Sequence, residues 1–301
     1  MFVKASDSGK PPLSSTSFVF VRAIGDSLFK PVTNPLDIRV VIPTDAFPGG
    51  VIGRIFASDR DVNDVLSFTQ RLRPKSLFKI NRQDGKIVAL AGLEPGRYFL
   101  NATVSDGRFS VTADVGVLVE QATDESVQAA ATLRFQDVSP EDFVGLHLQK
   151  MRAMLQPLVG SGSSTTTVAG AGNDPQGQDP VHVLSVQPVG RGALLEVLLA
   201  VETPDGGFYS PSELALRLRD VEESLGGLAK LVAVLDQSCS GGLECTGDQV
   251  CEQSLTLDPS SLVTYSTASV SLVSPRFSRT ESCTCPGMNI THASTTAPAQ
   301  A

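Results

Sequence analysis

The sequence predicts a mixed, multi-domain chain: a β-sandwich repeat, then an α+β domain, then a small β module that contains the cysteines. Three observations predict this order. Residues 31–120 hold about seven short runs of β-branched and aromatic residues separated by turns, which is typical of a β-sandwich. Residues 132–236 combine such runs with two helix start signals. All five cysteines follow residue 238, and 301 residues are enough for two or three domains.

The predicted strands of the sandwich are short and are separated by turn sequences. Glycine reaches positive φ and proline presets φ, so dipeptides that contain them favour turns. The turns are Pro48-Gly49-Gly50, Gln83-Asp84-Gly85, Pro95-Gly96 and Asp106-Gly107. The strands are predicted at residues 40–42, 51–57, 66–69, 78–80, 86–89, 98–104 and 111–119.

The α+β domain is predicted from two similar helix starts. Ser139-Pro140-Glu141-Asp142 and Ser210-Pro211-Ser212-Glu213 each place a serine N-cap before a proline at the first helical position. Strands are predicted at residues 132–135, 181–186, 193–201 and 231–235, and a flexible loop at residues 160–180. The order strand, helix, strand, strand, helix, strand is that of ferredoxin-like domains, in which two helices cover one face of an antiparallel sheet.

The cysteine-bounded part predicts a β-hairpin of residues 261–266 and 268–273. It has too few apolar residues for an independent core, so we expect disulfides to hold it together. The five cysteines are Cys239, Cys245, Cys251, Cys283 and Cys285. Their spacing leaves the pairing open and requires one cysteine to stay free or to bond elsewhere. The alternative, a zinc site, lacks a Cys-x-x-Cys pair and a nearby histidine pair.

Net charge and targeting signals restrict the possible partners and the cellular compartment of the chain. The formal net charge of −8 argues against a general nucleic-acid binder, because neutralising phosphates requires a basic surface. Apolar stretches are broken before the roughly 18–20 residues that a membrane span needs. The first ten residues lack a secretory signal, which alone would favour a cytosolic chain. The clustered cysteines and the glycan acceptor triplets at Asn101 and Asn289 instead predict a piece of a larger extracellular protein.

An aspartate-rich segment between two strands is a candidate calcium site. Asp59-Arg60-Asp61-Val62-Asn63-Asp64 offers several carboxylates, and Asp106 follows the strand at residues 98–104. Calcium takes six to eight oxygen ligands and prefers carboxylates. The alternative is that aspartate and asparagine simply favour turns.

Motifs spread over residues 57–107 resemble an extracellular cadherin repeat. They are Ala57-Ser58-Asp59-Arg60-Asp61 for the A-x-D-x-D calcium motif, Ile80 to Ile87 for the D-x-x-T-G turn, Leu93-Glu94 for a degenerate L-D-R-E, and Tyr98 to Gly107 for the Y-x-L-x-V-x-A-x-D-G strand. Residues 3–23 resemble the last two strands of a preceding repeat. The family's D-x-N-D-N linker is replaced by residues 25–31, where Asp26 is the remaining carboxylate, and residues 121–125 also lack the motif.

The resemblance therefore implies Ca²⁺ at the upper junction only, bound by Asp59, Asp61, Asp106 and Asp26, with no calcium at the lower junction. It also divides the chain into segments. These are a truncated cadherin repeat at 1–24, a cadherin repeat at 25–121, a linker at 122–131, a ferredoxin-like (SEA-like) domain at 132–238, a Cys-bounded hairpin at 239–286 and a disordered tail at 287–301.

The order of these segments resembles the membrane-side ectodomain of Fat-type giant protocadherins, with Flamingo-type cadherins as the alternative. The resemblance implies calcium-dependent, homophilic or heterophilic cell–cell adhesion or planar signalling by a spacer outside the plasma membrane. The implied partners are other cadherin ectodomains, and membrane contact would come only through a transmembrane segment of the parent protein. A calcium-independent extracellular receptor or ligand-binding module is the alternative function.

Catalysis is not expected. The histidines His147, His182 and His292 lie near no nucleophile motif. Some SEA domains cleave themselves at a Gly-Ser turn, but the corresponding turn at residues 189–193 has no hydroxyl, so we expect no self-cleavage.

Overall fold

The computed structural model describes residues 2–20, 26–43, 47–70, 76–159, 180–190, 194–239, 245–246 and 249–284. Within these ranges no helix is both long enough and apolar enough to cross a bilayer. Three predicted segments lie wholly or partly outside the described residues. They are the tail at 287–301, most of the loop at 160–180, and residues 191–193 of the turn at 189–193. Most of the elements in these ranges are β-strands.

The first described element is an antiparallel hairpin of β1 (Phe2–Ser6) and β2 (Ser14–Phe18). The following strands build the sandwich. They are β3 (Val32–Thr33), β4 (Leu36–Ile42), β5 (Gly50–Arg54), β6 (Ala57–Ser58), β7 (Ser67–Gln70), β8 (Phe78–Ile80), β9 (Lys86–Ala89), β10 (Gly96–Ser105) and β11 (Ser110–Gln121). The sheet β5-β9-β8 and the strands β4, β11, β10 and β7 enclose one apolar core.

Alternation of apolar and polar residues explains why these strands form. From Leu100 to Val104 in β10 and from Ala113 to Val119 in β11 every second residue is buried, because successive side chains of a strand point to opposite faces. The two strands pair antiparallel from Gly96↔Val119 to Ser105↔Ser110. At Gly85, where φ is +70°, a Cβ would lie 2.7 Å from the Ile55 carbonyl oxygen, so the turn before β9 requires glycine.

The α+β part begins with the short helix α1 (Asp124–Gln128) and strand β12 (Ala131–Gln136). Helix α2 (Pro140–Asp142) continues through a π-helical turn (Phe143–His147) into α3 (Leu148–Leu155) and a 3₁₀ turn (Gln156–Val159). Next come β13 (Val181–Val189), β14 (Leu194–Val201), α4 (Pro211–Asp220), α5 (Glu222–Gly226) and β15 (Lys230–Leu235). The sheet order is β13-β14-β12-β15, with every neighbouring pair antiparallel.

The caps of these helices form as the sequence predicts. The Ser139 hydroxyl accepts a hydrogen bond from the Asp142 backbone N–H, and Ser210 does the same for Glu213. The ring of Phe135 in β12 lies 5.1 Å from that of Phe143, which places the first helix on one face of the sheet. Because strand residues alternate in direction, the polar side chains of β12 point to the opposite face.

The C-terminal hairpin covers that opposite face. Its strands β16 (Val250–Ser266) and β17 (Val270–Thr284) are much longer than the predicted residues 261–266 and 268–273. On β13, the Ser185 hydroxyl donates to the Pro275 carbonyl at 2.6 Å, and the Gln187 side chain both donates to and accepts from the Phe277 backbone. The hairpin is therefore fastened to the α+β sheet.

The same hairpin extends the sheet of the sandwich. Strand β17 pairs in parallel with β4 from Val270↔Asp37 to Val273↔Val40, so one six-stranded sheet runs β16-β17-β4-β11-β10-β7. The Ser271 hydroxyl also donates to the Ile52 carbonyl of β5 at 2.7 Å. This differs from the expectation of a separate module. The hairpin buries its apolar residues in the two neighbouring cores, because it has too few to form its own.

Candidate metal centre

Three carboxylates meet at one end of the sandwich. Asp59 follows β6, Asp64 lies further along the same loop, and Asp106 follows β10. One ligand oxygen of each lies within 4.8 Å of the other two. The Oδ2 atoms of Asp59 and Asp64 are buried and have no hydrogen-bond partner among the described residues. Buried carboxylate oxygens normally have a partner, so two unpartnered ones in one cluster fit a bound cation.

The loop itself sets the positions of the first two carboxylates. The Asp61 backbone N–H donates to Asp59 Oδ1 at 2.9 Å, which leaves Asp59 Oδ2 directed elsewhere. The Asp64 backbone N–H donates to the Asp61 carbonyl at 3.1 Å, which closes a turn and returns Asp64 to the cluster. The aspartate-rich sequence thus forms both the turn and the ligand set.

Asp106 is held ionised by the turn that it begins. Its Oδ1 accepts from the backbone N–H groups of Arg108 and Phe109, both at 2.6 Å, and its Oδ2 accepts from the Ser27 hydroxyl at 3.3 Å. Desolvation by burial raises the pKa of Asp106, but these hydrogen bonds outweigh it and leave the pKa below the usual 3.8. The carboxylate is therefore charged at neutral pH.

The other two predicted ligands have different surroundings. Asp61 Oδ2 accepts from the backbone N–H groups of Leu28 and Phe29 at 2.7 and 2.8 Å. Asp61 therefore binds the upper linker, which is the segment at residues 25–31 before the sandwich. The Asp26 side chain is 90% exposed and lies 3.8 Å from Arg108 Nη1. The cluster thus joins Asp59 and Asp106 to Asp64, while Asp61 contacts residues 28 and 29 and Asp26 lies near Arg108.

Sequence reasoning did not choose Asp64, although it lies in the same aspartate-rich segment. The family motif that guided the choice ends at Asp61. The signal that could have found Asp64 is the three-residue spacing from Asp61, which is the spacing of a turn closed by a backbone hydrogen bond.

Arg108 also binds the upper linker to this end of the sandwich. Its Nη1 donates to the Ser27 carbonyl at 2.8 Å, and its guanidinium lies over the Phe109 ring at 5.3 Å. The Ser27 hydroxyl lies between Asp61 and Asp106. The segment from Asp26 to Phe29 therefore contacts the loops that carry the carboxylates.

The four cysteines in the described ranges form two disulfides at the open end of the hairpin, Cys239–Cys251 and Cys245–Cys283. Cys251 and Cys283 are directly opposed in the hairpin register. The two bonds thus connect the base of the hairpin to the segment that leaves β15. Cys285 lies outside the described residues.

The glycan acceptors and histidines can be located only in part. Asn101 is exposed on β10, whereas Asn289 and His292 lie outside the described residues. His182 Nε2 lies 2.8 Å from Glu202 Oε1, and His147 Nδ1 is buried without a hydrogen-bond partner among the described residues. Burial lowers the pKa of His147 below 6.5, and the charge of Lys150 lowers it further. Nothing in these contacts points to catalysis.

Comparison with known proteins shows which families have similar sequences. No family model matches it. Protocadherin Fat 1 of Homo sapiens is 32% identical over 287 residues, which are 94% of this chain and 6% of that protein. Protocadherin Fat 2 of Mus musculus is 34% identical over 294 residues, which are 95% of this chain and 6% of that protein.

The chain belongs to the Fat-type protocadherins. Cadherin EGF LAG seven-pass G-type receptor 2 of Homo sapiens is 34% identical over 166 residues, but these are 51% of this chain and 6% of that protein. Among solved structures, extracellular cadherin domains 3–6 of protocadherin gamma B2 match with 23% identity and a TM-score of 0.28, covering 40% of this chain and 33% of that one. The protocadherin segment thus spans about 6% of the length of its Fat relatives.

Proposed function

We propose that this chain is a non-enzymatic extracellular spacer segment of a large membrane-anchored cadherin, and that it serves calcium-dependent cell–cell adhesion or planar signalling. The observation that carries the proposal is the cluster of Asp59, Asp64 and Asp106, with two buried oxygens that lack a partner among the described residues. Supporting this, the chain belongs to the Fat-type protocadherins. The partners would be other cadherin ectodomains, at the outer side of the plasma membrane.

Calcium fits the donor set. Three carboxylates close together repel one another, and a divalent cation removes that repulsion. Calcium accepts carboxylate oxygens with flexible geometry, so the cluster could supply part of its six to eight ligands. Asp26 lies in the segment before β3 and Asp61 faces that segment, so either could add an oxygen if the segment moved. When bound, the ion would supply a fixed positive charge between the loops and thereby stiffen this end of the sandwich.

The spacer role rests on the hairpin. Because β17 pairs with β4 and also contacts β13, the sandwich and the α+β part share one connecting element. The junction between the sandwich and the α+β part is thus joined by backbone pairing. The sheet order β13-β14-β12-β15, with its all-antiparallel neighbours, supports a ferredoxin-like, SEA-like assignment for residues 132–238.

A second function is favoured by a specific observation. Asp61 already binds the Leu28 and Phe29 backbone N–H groups, and Arg108 binds the Ser27 carbonyl, so the linker is fastened without an ion. A junction closed in this way suits a calcium-independent extracellular receptor or ligand-binding module. A measurement of calcium binding distinguishes the calcium-dependent spacer from the calcium-independent module.

The test is thermal unfolding of the full chain with and without calcium. A ligand that binds only the folded state raises its stability by RT ln(1 + [Ca²⁺]/Kd). For a Kd of about 10⁻⁴ M and about 2 mM calcium, this is about 1.8 kcal/mol. For a chain of 301 residues, whose unfolding entropy is about 0.6 kcal/mol per kelvin, the corresponding rise in Tm is about 3 °C. We expect that rise in the wild type and in the control Asp205→Asn, which changes an exposed aspartate in the α+β part.

In Asp64→Asn the rise should disappear, because the cluster loses one of its three negative charges and keeps only a neutral amide oxygen at that position. An unchanged wild-type Tm at millimolar calcium would support the calcium-independent function instead. An equal rise in wild type and Asp64→Asn would place calcium outside this cluster.

The remaining assignments concern the covalent state. We propose N-glycans at Asn101 and Asn289, since both lie in acceptor triplets, and the disulfides support an oxidising compartment. Cys285 would bond outside the described part of the chain or stay free. A peptide map of the secreted, unreduced protein measures which cysteines are bonded and which asparagines carry a glycan.

A further inference from the structure

Strand β10 presents an aromatic side chain beside a glycan acceptor. Phe99 is 81% exposed, and Asn101 and Thr103 are exposed on the same face, because side chains two residues apart in a strand point the same way. Leu100 and Ala102 point into the core. The acceptor triplet Asn101-Ala102-Thr103 therefore lies flat on the sheet, directly next to Phe99 along the strand.

A groove begins at Phe99. It is a cavity of about 240 Å³ between the outer face of the sandwich sheet and the helix α3, which contributes Gln149. Strand β11 places Gly116 opposite Phe99, so β11 contributes no side chain at that position. A Cβ at Gly116 would lie 3.2 Å from Asp37 Oδ1. The groove thus has an aromatic wall together with carboxylate and amide groups.

An aromatic ring next to polar groups suits a sugar ring. The C–H faces of a pyranose pack on aromatic rings, while its hydroxyl and acetamido groups need hydrogen-bond partners. Two residues of strand span about 7 Å. The first sugar on Asn101 is therefore within reach of Phe99, and the next lies within reach of the groove.

We propose that the glycan attached to Asn101 folds back on Phe99 and occupies the groove between the sandwich sheet and α3. This inference rests on the proposed glycosylation of Asn101. The glycan would thus contact both parts of the molecule and stabilise their arrangement. The attached carbohydrate is favoured as the occupant because the acceptor lies two residues from Phe99 on the same face.

The test compares the loss of Tm on glycan removal in different variants. Full chain is secreted from a glycosylating host, and site occupancy at Asn101 is measured by mass spectrometry. The glycan is then removed enzymatically from the folded protein. We expect the wild-type Tm to fall by about 2–4 °C. In Phe99→Ser we expect less than half of that fall, because the stacking surface is gone.

The matched control is Leu216→Ser. Leu216 is an apolar side chain on α4 that is 60% exposed, and it does not line the groove. Its Tm should fall as in the wild type. Enzymatic removal converts the asparagine to aspartate in all three proteins, so that charge change cancels in the comparison. Equal falls in wild type and Phe99→Ser, at equal occupancy, would overturn the inference while leaving the glycosylation intact. An unmodified Asn101 would overturn both.

Discussion

The contact between Gly145 and the tip of the hairpin gives the sharpest prediction. Gly145 lies in the π-helical turn after α2, and a Cβ there would lie 2.6 Å from Thr267 Cγ2. At a helical position free of contacts, Gly→Ala stabilises by about 1 kcal/mol. Inserting a methyl group into a filled space costs about 1–3 kcal/mol. We therefore expect Gly145→Ala to be neutral or to destabilise by as much as about 2 kcal/mol, instead of stabilising.

A second substitution isolates the cause. Thr267→Ser removes Cγ2 but keeps the hydroxyl that accepts from the Val270 N–H and donates to the Val270 carbonyl. The other nearby atoms, Thr267 Cβ and Oγ1, lie 3.4 Å from the added Cβ, which is close to ordinary contact. In the Thr267→Ser background, Gly145→Ala should gain up to about 1 kcal/mol. The coupling between the two sites is then about 1–3 kcal/mol.

The assay is urea unfolding of the four proteins of this cycle, followed by far-UV circular dichroism because the chain has no tryptophan. A gain of about 1 kcal/mol for Gly145→Ala in the wild-type background, with coupling below about 0.3 kcal/mol, would refute the reasoning. It would mean that the hairpin tip does not press on this helix.

Two further predictions concern buried ionisable groups. Glu196 is 1% exposed and binds two arginines, so Glu196→Gln should cost about 2 kcal/mol in urea unfolding. The exposed-pair control Glu213→Gln should cost less than about 0.5 kcal/mol, and equal costs would contradict the difference in burial. Burial lowers the pKa of His147 in the folded state below 6.5, so its contribution to stability is present above pH 6.5 and is lost as the pH falls. His147→Gln should reduce the decline of Tm below pH 6.5, and an identical decline would show that His147 is not responsible.

Local signals made much of the fold predictable. The helix starts at Ser139 and Ser210 depend on nearby residues only, and both caps form as expected. Strands such as β10 follow from alternation and turn dipeptides, with small errors at the ends. The parallel pairing of β17 with β4 joins residues more than 200 positions apart, and no local pattern encodes it. The same limit explains Asp64, whose position depends on how a turn closes beside Asp106.

The structure also shows what the hairpin contributes beyond pairing. Glu196 of β14 binds Arg134 on β12 and Arg279 on β17, so a single buried carboxylate joins the sheet to the hairpin. The sequence shows these charges, but their distances along the chain give no reason to group them. The two disulfides lie at the far end of the same hairpin, where they connect it to the segment after β15.

Calcium binding at the cluster of Asp59, Asp64 and Asp106 is the claim on which the adhesive role depends, and titration calorimetry of the full chain measures it directly. Wild-type protein should bind calcium with a Kd of about 10⁻⁴–10⁻³ M, as extracellular modules do. Asp64→Asn should show no such binding heat. Absence of heat in the wild type at millimolar calcium, or the same heat in both proteins, would contradict the assignment.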